Sequence, residues 1–397
     1  MKQKGMGKNF LWIVLGFVAC HSQPALKEEN TTVADVKATQ KEERRDSFPQ
    51  VPSRPDNEYH SIACFIAGMP VDSLSPFFDY TQTKAWKDYS LQAANVWQQF
   101  DNLRKKYIAW AEKEVYPETR KMKIVFYPFS GPDFLYVNLF YPEAEKIYMF
   151  GLEDVGTVPD RKKITPDSLP HMLRAYKEAI SDVINISFFR TNDMKDELAG
   201  NIDGTTPVIM LFLARSGKIV CDVKMMTLDS TGNFIAWKPS EKGIKPLNRA
   251  VKISYRNPGE TLQRHIIYLT NNVSDPALRK NKPYKKFFLH IEPHCGGYVK
   301  SATYLMHKSY FSTVRNVLLQ KADVILQDDS GIAFHYFDPL VWDIQLYGSY
   351  TKPIPLFEEF FEQDLYEAYQ TRKVKKLNFR IGYHPQSNLL FAKRKNR

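Results

Sequence analysis

Residues Met122 to Gly156 read MKIVFYPFSGPDFLYVNLFYPEAEKIYMFGLEDVG. Ile124 to Tyr127 is a short apolar run of β-branched and aromatic residues stopped by Pro128, the pattern of a strand buried on both faces. Ser130, Gly131, Pro132 and Asp133 then supply turn residues and a helix start, with Pro132 near the first helical position, where its missing N–H costs little. Phe134 to Tyr141 predicts a short apolar helix, and Lys146 to Leu152 a second strand that ends on Glu153 and Asp154. Strand, tight turn, helix and strand make a βαβ unit. A parallel sheet gathers its loops at the carboxyl ends of its strands. Ser130–Asp133 and Glu153–Asp154 are therefore expected on one edge, where open α/β sheets bind ligands.

Upstream, Ser61 to Tyr116 is helix-prone, and Trp86, Tyr89, Ala93, Trp97 and Phe100 recur at three- and four-residue steps, a stripe for core packing. Downstream, Asp167 or Ser168 caps a helix running to about Val183. Val208–Ala214, Ile219–Leu228 and Phe234–Trp237 are β-rich runs separated by turn residues at 215–218 and 229–233, and Val251–Tyr255 and His265–Leu269 continue this region. Lys300–Leu319 is apolar and helix-prone. Val324–Leu326 is a short buried strand with the acidic turn Gln327-Asp328-Asp329-Ser330-Gly331 at its carboxyl end. Phe357–Tyr369 predicts an amphipathic helix and Leu377–Tyr383 a last strand. The expected fold is α/β: a mixed, mainly parallel Rossmann-like sheet with an antiparallel β-hairpin region and an N-terminal helical cap.

The start of the chain speaks of address. Lys2, Lys4 and Lys8 precede an apolar run from Phe10 to Ala19, too short for a transmembrane helix and right for an export signal, residues 1–19. Phe17-Val18-Ala19-Cys20 resembles the lipobox of bacterial lipoproteins, which implies that Cys20 is acylated and becomes the new N-terminus. An ordinary signal peptide with an incidental Cys20 is the alternative. His21 is not the Asp that resembles an inner-membrane retention signal, so the outer membrane is favoured, periplasmic or surface side open. Residues 20–57 hold almost no large apolar side chains and read as a disordered tether. The globular body spans 58–392, divisible near residue 200 into 58–200 and 201–392, and 393–397 is a solvated basic tail.

The formal charge is +11, but Lys2, Lys4, Lys8 and the terminal Lys393, Arg394, Lys395 and Arg397 carry much of it. What remains is mildly basic without an Arg/Lys stripe interleaved with aromatics, which argues against a nucleic-acid partner. Cys64, Cys221 and Cys295 are odd in number and sit in apolar surroundings, so buried thiols are expected rather than a disulfide scaffold.

Several residues could carry chemistry. Ser130 lies on a strand-to-helix turn, and His307 or His335 with Asp328 or Asp329 would complete a hydrolase triad, although the G-x-S-x-G frame is missing. Asp133 lies in the same turn. Gly131 and Glu153 are the candidates for a nucleotide-type cofactor site, with Glu153 as ribose partner, but the other glycines needed for close approach to a pyrophosphate are missing, so no cofactor is assigned. The turn is a looser match to the first loop of methyltransferase-like Rossmann folds. His290, Glu292, His294 and Cys295 cluster in sequence without a recognised metal spacing, and no metal site is assigned. Asp328 and Asp329 read as a cation site, as general acid and base, or as a solvated helix cap.

Tyr127-Pro-Phe-Ser-Gly-Pro-Asp133, Gly151-Leu-Glu153, Lys300-Ser-Ala-Thr-Tyr-Leu-Met-His307, Leu326-Gln-Asp-Asp-Ser-Gly331, Tyr347-Gly-Ser-Tyr350 and Ile381-Gly-Tyr383 together resemble an uncharacterised family of exported, lipid-anchored bacterial proteins. The resemblance implies no reaction. The expectation is a cell-envelope lipoprotein with a polar pocket for a small-molecule or envelope ligand, formed by the turns at 127–133, 153–156 and 327–331. An envelope enzyme, a serine hydrolase using Ser130 or a transferase with a degenerate Rossmann-like site, is the alternative.

Overall fold

A computed structural model describes residues 58–186, 202–237, 247–383 and 386–395. Residues 1–57, where an export signal, a lipidated Cys20 and a tether are expected, lie outside the described residues. Among the described residues ten strands form one mixed sheet: β1 (Ile124–Tyr127), β2 (Lys146–Gly151), β3 (Ile219–Leu228), β4 (Phe234–Ala236), β5 (Arg249–Arg256), β6 (Arg264–Thr270), β7 (Cys295–Val299), β8 (Ala322–Gln327), β9 (Trp342–Gly348) and β10 (Asn388–Arg394). Their order is β4-β3-β5-β6-β2-β1-β7-β8-β10-β9. The four central pairings, β6·β2, β2·β1, β1·β7 and β7·β8, are parallel, and the five outer ones are antiparallel. The expectation of a mainly parallel sheet is therefore corrected. Parallel pairing is confined to the strands linked through helices; hairpin-type connections add the antiparallel strands β3, β4 and β5 on one flank, and on the other β10 returns after a long connection to insert antiparallel between β8 and β9.

Helices cover both faces. On one lie α1 (Glu58–Ile66), α2 (Phe78–Thr81), α3 (Lys84–Glu114), α4 (Tyr116–Thr119), α5 (Phe134–Phe140), α6 (Ser168–Ile186) and α7 (Thr205–Arg215). On the other lie α8 (Asp275–Lys280), α9 (Lys282–Leu289), α10 (Ser312–Lys321) and α11 (Gln363–Thr371). The period-2 geometry of strands sorts side chains between them: Val125, Tyr127, Ile147 and Met149 enter the first core, and Phe126, Tyr148 and Phe150 the second. Thr83 caps α3 by accepting a hydrogen bond from the Trp86 amide. The stripe Trp86, Tyr89, Ala93, Trp97, Phe100 is buried as its spacing predicts and continues through Tyr107, Trp110 and Ala111. Among the described residues no helix is long and apolar enough to cross a membrane.

The structure departs from the sequence reading in several places. Val208–Ala214, expected as a strand, is the body of α7. Every residue from Thr205 to Ala214 is buried, so the apolar run carries no periodicity by which helix and strand could be told apart. Lys300–Leu319 is helical only from Ser312; before it the chain makes two single 3-10 turns, Leu305–His307 and Ser309–Phe311. Phe357–Tyr369 is a 3-10 segment, Pro355–Phe360, followed by α11. Leu377–Tyr383 is not a strand; the last strand is β10. Lys393 and Arg394, assigned to a solvated tail, end that strand. Arg394 bonds the carbonyls of Leu319 and Ala322 and lies 4.5 Å over the Trp342 ring. Its alkyl stem covers apolar surface while the charge satisfies carbonyls.

The loop after β2 is stitched to the start of α7: Thr205 N bonds Asp154 O at 2.9 Å and Thr206 Oγ1 bonds Val155 O at 2.6 Å. Gly156, at φ +65°, makes this approach feasible, since a Cβ there would fall 1.6 Å from the Asp203 carbonyl oxygen. Gly156→Ala is expected to cost at least about 2 kcal/mol, from the left-handed backbone and the backbone clash together, as measured by urea unfolding.

Candidate functional site

Because β1, β7 and β8 are adjacent and parallel, their carboxyl ends present three neighbouring loops. Lys300, just after β7, reaches Asp133 in the loop after β1, with Nζ 2.6 Å from Oδ2 and both side chains 3% exposed or less. Asp133 also accepts the Tyr127 hydroxyl at 2.9 Å and, as the cap of α5, the Tyr136 amide at 3.2 Å. The Lys300 ammonium lies 3.6 Å from the centre of the Tyr136 ring. Burial lowers the Lys300 pKa, and Asp133 opposes that shift.

In the loop after β8, Asp328 is spent on the backbone and on Ser330. Oδ2 accepts the Ser301 amide at 2.9 Å; Oδ1 accepts the Ser330 amide at 3.1 Å and its hydroxyl at 2.5 Å. Gly382 leans against this carboxylate, and a Cβ there would meet Oδ2 at 2.3 Å. Burial, with the neighbouring Asp329 second, pushes the Asp328 carboxyl well above the usual range. Asp329 accepts the Tyr304 hydroxyl and the Asn388 side-chain amide. The Tyr298 hydroxyl is fully buried among these groups and makes no hydrogen bond.

Four of the five non-glycine residues with positive φ among the described residues, Phe129, Ser301, Thr303 and Tyr304, lie in the loops after β1 and β7. Such conformations cost free energy and persist where the surroundings over-determine them, often at functional sites.

A further pair sits beside this cluster. His307 Nε2 is 3.6 Å from Glu362 Oε1, each side chain is 9% exposed, and the imidazole nitrogen makes no hydrogen bond. Glu362 Oε2 accepts the Phe334 amide at 2.5 Å. Burial raises the Glu362 carboxyl to about 8 and lowers His307 to about 4, so at neutral pH the proton resides on the carboxyl and the imidazole is neutral. The 3-10 segment Pro355–Phe360 roofs the group: Phe360 stacks on Tyr304 at 5.2 Å, and Phe357 packs at 5.2 Å on Tyr383, whose hydroxyl bonds Ser301 O. Beneath Glu362, Asp328, Asp329 and Asn388 line a space of about 10 Å³, room for one water.

The other candidates go elsewhere. The Ser130 hydroxyl accepts the Phe150 amide at 3.1 Å and lies 2.8 Å from Gly131 O, stapling the β1 turn to β2, and among the described residues no imidazole meets it. His307 keeps company with Glu362, and the His335 ring lies tilted against that of Tyr336, 4.1 Å between centres. The triad is not assembled. Gly131, at φ +51°, completes the turn. Glu153 is buried against the Tyr268 hydroxyl at 3.1 Å, and Asp154 pairs with Arg249. Of the three bends expected to meet, 127–133 and 327–331 are joined through Lys300 and Ser301, while the side chains of 153–154 serve β5 and β6. Glu292 pairs with Lys146 and His294 with Asp323; among the described residues, no three His, Cys, Asp or Glu side chains gather to hold a metal ion.

Sequence reasoning missed Lys300, Tyr304 and Glu362 as partners. The signal was present for Lys300, a charge directly after the buried run Cys295–Val299 with a serine and a threonine following; Glu362, flanked by two phenylalanines and a glutamine, looked like any amphipathic helix residue. Compared with models of known protein families and with curated proteins, the chain matches none.

Glu362 sets a pH dependence. Its folded pKa, about 8, lies above its ordinary 4.5, so its stabilising contribution is complete below about 4.5 and is lost as pH rises through 8. Asp328 acts with the same sign. His307, depressed, contributes above 6.5 and loses that contribution only as pH falls towards 4. Unfolding free energy is therefore expected to fall between pH 6.5 and 8, by up to ~1.4 kcal/mol per pH unit for each proton lost, and Glu362→Gln is expected to flatten that slope in denaturant titrations. Ser130→Ala is expected to cost about 1–3 kcal/mol in the same measurement, as the Phe150 amide loses a buried acceptor.

Proposed function

We propose that this chain is a lipoprotein of a bacterial cell envelope, held on the outer rather than the inner membrane through acylated Cys20. A tether, residues 20–57, carries the body, whose parallel centre we read as Rossmann-like, and the body holds a small polar envelope ligand at the carboxyl ends of β1, β7 and β8. The observation that carries the binding role is the convergence of Asp133, Lys300, Asp328 and Asp329 with the His307–Glu362 pair under strained loops. Buried charges and left-handed non-glycine residues both oppose folding, and their concentration on the ligand-binding edge of an α/β sheet is explained by use. The space beneath Glu362 takes only a water, so a larger ligand requires the groups around Glu362 to move apart.

An enzyme is the second reading. Its hydrolase form has lost its nucleophile, since Ser130 is bonded into the β1–β2 junction. A transferase with a degenerate site keeps the β1–α5–β2 unit in its favour, although Glu153 would have to leave Tyr268 to reach a ribose.

Labelling growing cells with an alkyne fatty acid is expected to mark the wild-type chain and leave Cys20→Ser unmarked; equal labelling of both would remove the anchor. For the ligand, thermal unfolding against a panel of sugars, amino acids, polyamines, nucleotides and S-adenosylmethionine is expected to show at least one stabilising compound, by about 2.7 kcal/mol at a hundredfold excess over Kd, with the effect reduced in Glu362→Gln. Stabilisation by S-adenosylmethionine alone would favour the transferase, and a panel without any stabilising member would count against the site.

A further inference from the structure

Far from the strand ends in chemistry, α8 and α9 carry the sequence DPALRKNKPYKKFFL, Asp275 to Leu289. Arg279, Lys280, Lys282, Lys285 and Lys286 are all exposed. Along α9, Lys282, Lys285, Lys286 and Leu289 follow the i, i+3, i+4, i+7 spacing of one helical stripe, and Leu289 is 54% exposed. Tyr284, Phe287 and Phe288 face the other way, buried in the core against Phe150 and its neighbours. None of the five cations has a carboxylate partner among the described residues; Lys286 donates to the Ser230 carbonyl at 3.0 Å. The nearby acids are engaged. Asp275 accepts the amides of Ser312 and Thr313, Asp229 closes its own turn on Thr231 and Asn233, and Glu292 pairs with Lys146.

A surface that is cationic without compensating acids and edged by one exposed leucine is suited to a charged plane. We propose that the outer face of α8 and α9 docks the body onto anionic lipid headgroups, with the ammonium groups and Arg279 on the phosphates and Leu289 at the headgroup boundary. Each basic side chain near such a surface adds attraction that salt weakens. With the apolar face of α9 in the core, the attraction is electrostatic, through the lysines on its outer side, and a second contact of this kind turns a lipid anchor into a fixed orientation. Single-stranded nucleic acid is the poorer fit: it needs aromatic faces for its bases, and the three rings of α9 are in the core. The face is separate from acylation, so the docking stands or falls apart from the anchor.

Full-length Cys20→Ser protein is sedimented with phosphatidylcholine vesicles and with vesicles containing about a third phosphatidylglycerol. The expected result is roughly tenfold or greater preference for the anionic vesicles, abolished by high salt and by Lys280→Glu, Lys282→Glu and Lys285→Glu combined. The glutamine counterparts at the same three positions, with circular dichroism unchanged, are expected to bind between the two and guard against a folding defect. Undiminished binding by both triple variants would overturn the proposal, as would equal binding to both vesicle types. Binding to heparin or a short oligonucleotide with no binding to vesicles would overturn it too, and would make the stripe a site for acidic polymers. Fatty-acid labelling of the wild type is unaffected by any of these results.

Discussion

The Lys300–Asp133 ion pair is the contact on which the carboxyl edge of the sheet depends. Two opposite charges, 2.6 Å apart and almost without solvent, join the end of β7 to the capping residue of α5. Neither could be buried alone, because an unpaired charge in such a place costs several kcal/mol. Asp133 is doubly committed: it neutralises Lys300 and caps α5, where the helix N-terminus itself favours a negative charge. The turn after β1 is thereby fixed against β7, and the two tyrosines at 127 and 136 fill the remaining hydrogen-bonding and cation–π positions. With that junction set, Asp328 can bridge to Ser301 and bring the β8 loop into the same cluster.

The βαβ unit could be read from sequence because every local signal agreed: a β-branched run ended by proline, a turn with glycine and proline, an aspartate cap and a second run. Agreement failed where burial was complete. In α7 the side chains are apolar all round, and the only hints of helix were the glycine before Thr205 and the proline at 207. It failed again where the backbone is left-handed, since Ser301, Thr303 and Tyr304 have none of the glycine or asparagine character that marks such positions. At the C-terminus, charge was the misleading signal. Lys393 and Arg394 looked like tail residues, yet the apolar run Leu389–Ala392 before them is a strand between β8 and β9.

The site was legible in outline and not in wiring. Asp133, Asp328 and Asp329 could be placed at strand ends from the turn chemistry, because in a parallel sheet a strand's carboxyl end is a topological fact. Which of them would meet required the strand order, and that is not written locally: β7 lies between β1 and β8, so Lys300 and Ser301 become the link, while β2 lies on the far side and takes Glu153 to β6. Ser130 illustrates the same limit. A serine on a strand-to-helix turn has the address of a nucleophile, but its hydroxyl is occupied by the β2 amide before any substrate arrives.

The two charge systems of the body also constrain how it could sit on a membrane. The first described helix, α1, belongs to the layer opposite α8 and α9, with the sheet between them. Were the outer face of α8 and α9 to meet lipid as proposed, the sheet would lie flat over it and its carboxyl edge, with Asp328, Asp329 and Glu362, would open to the side, where a ligand reaches it without the body detaching.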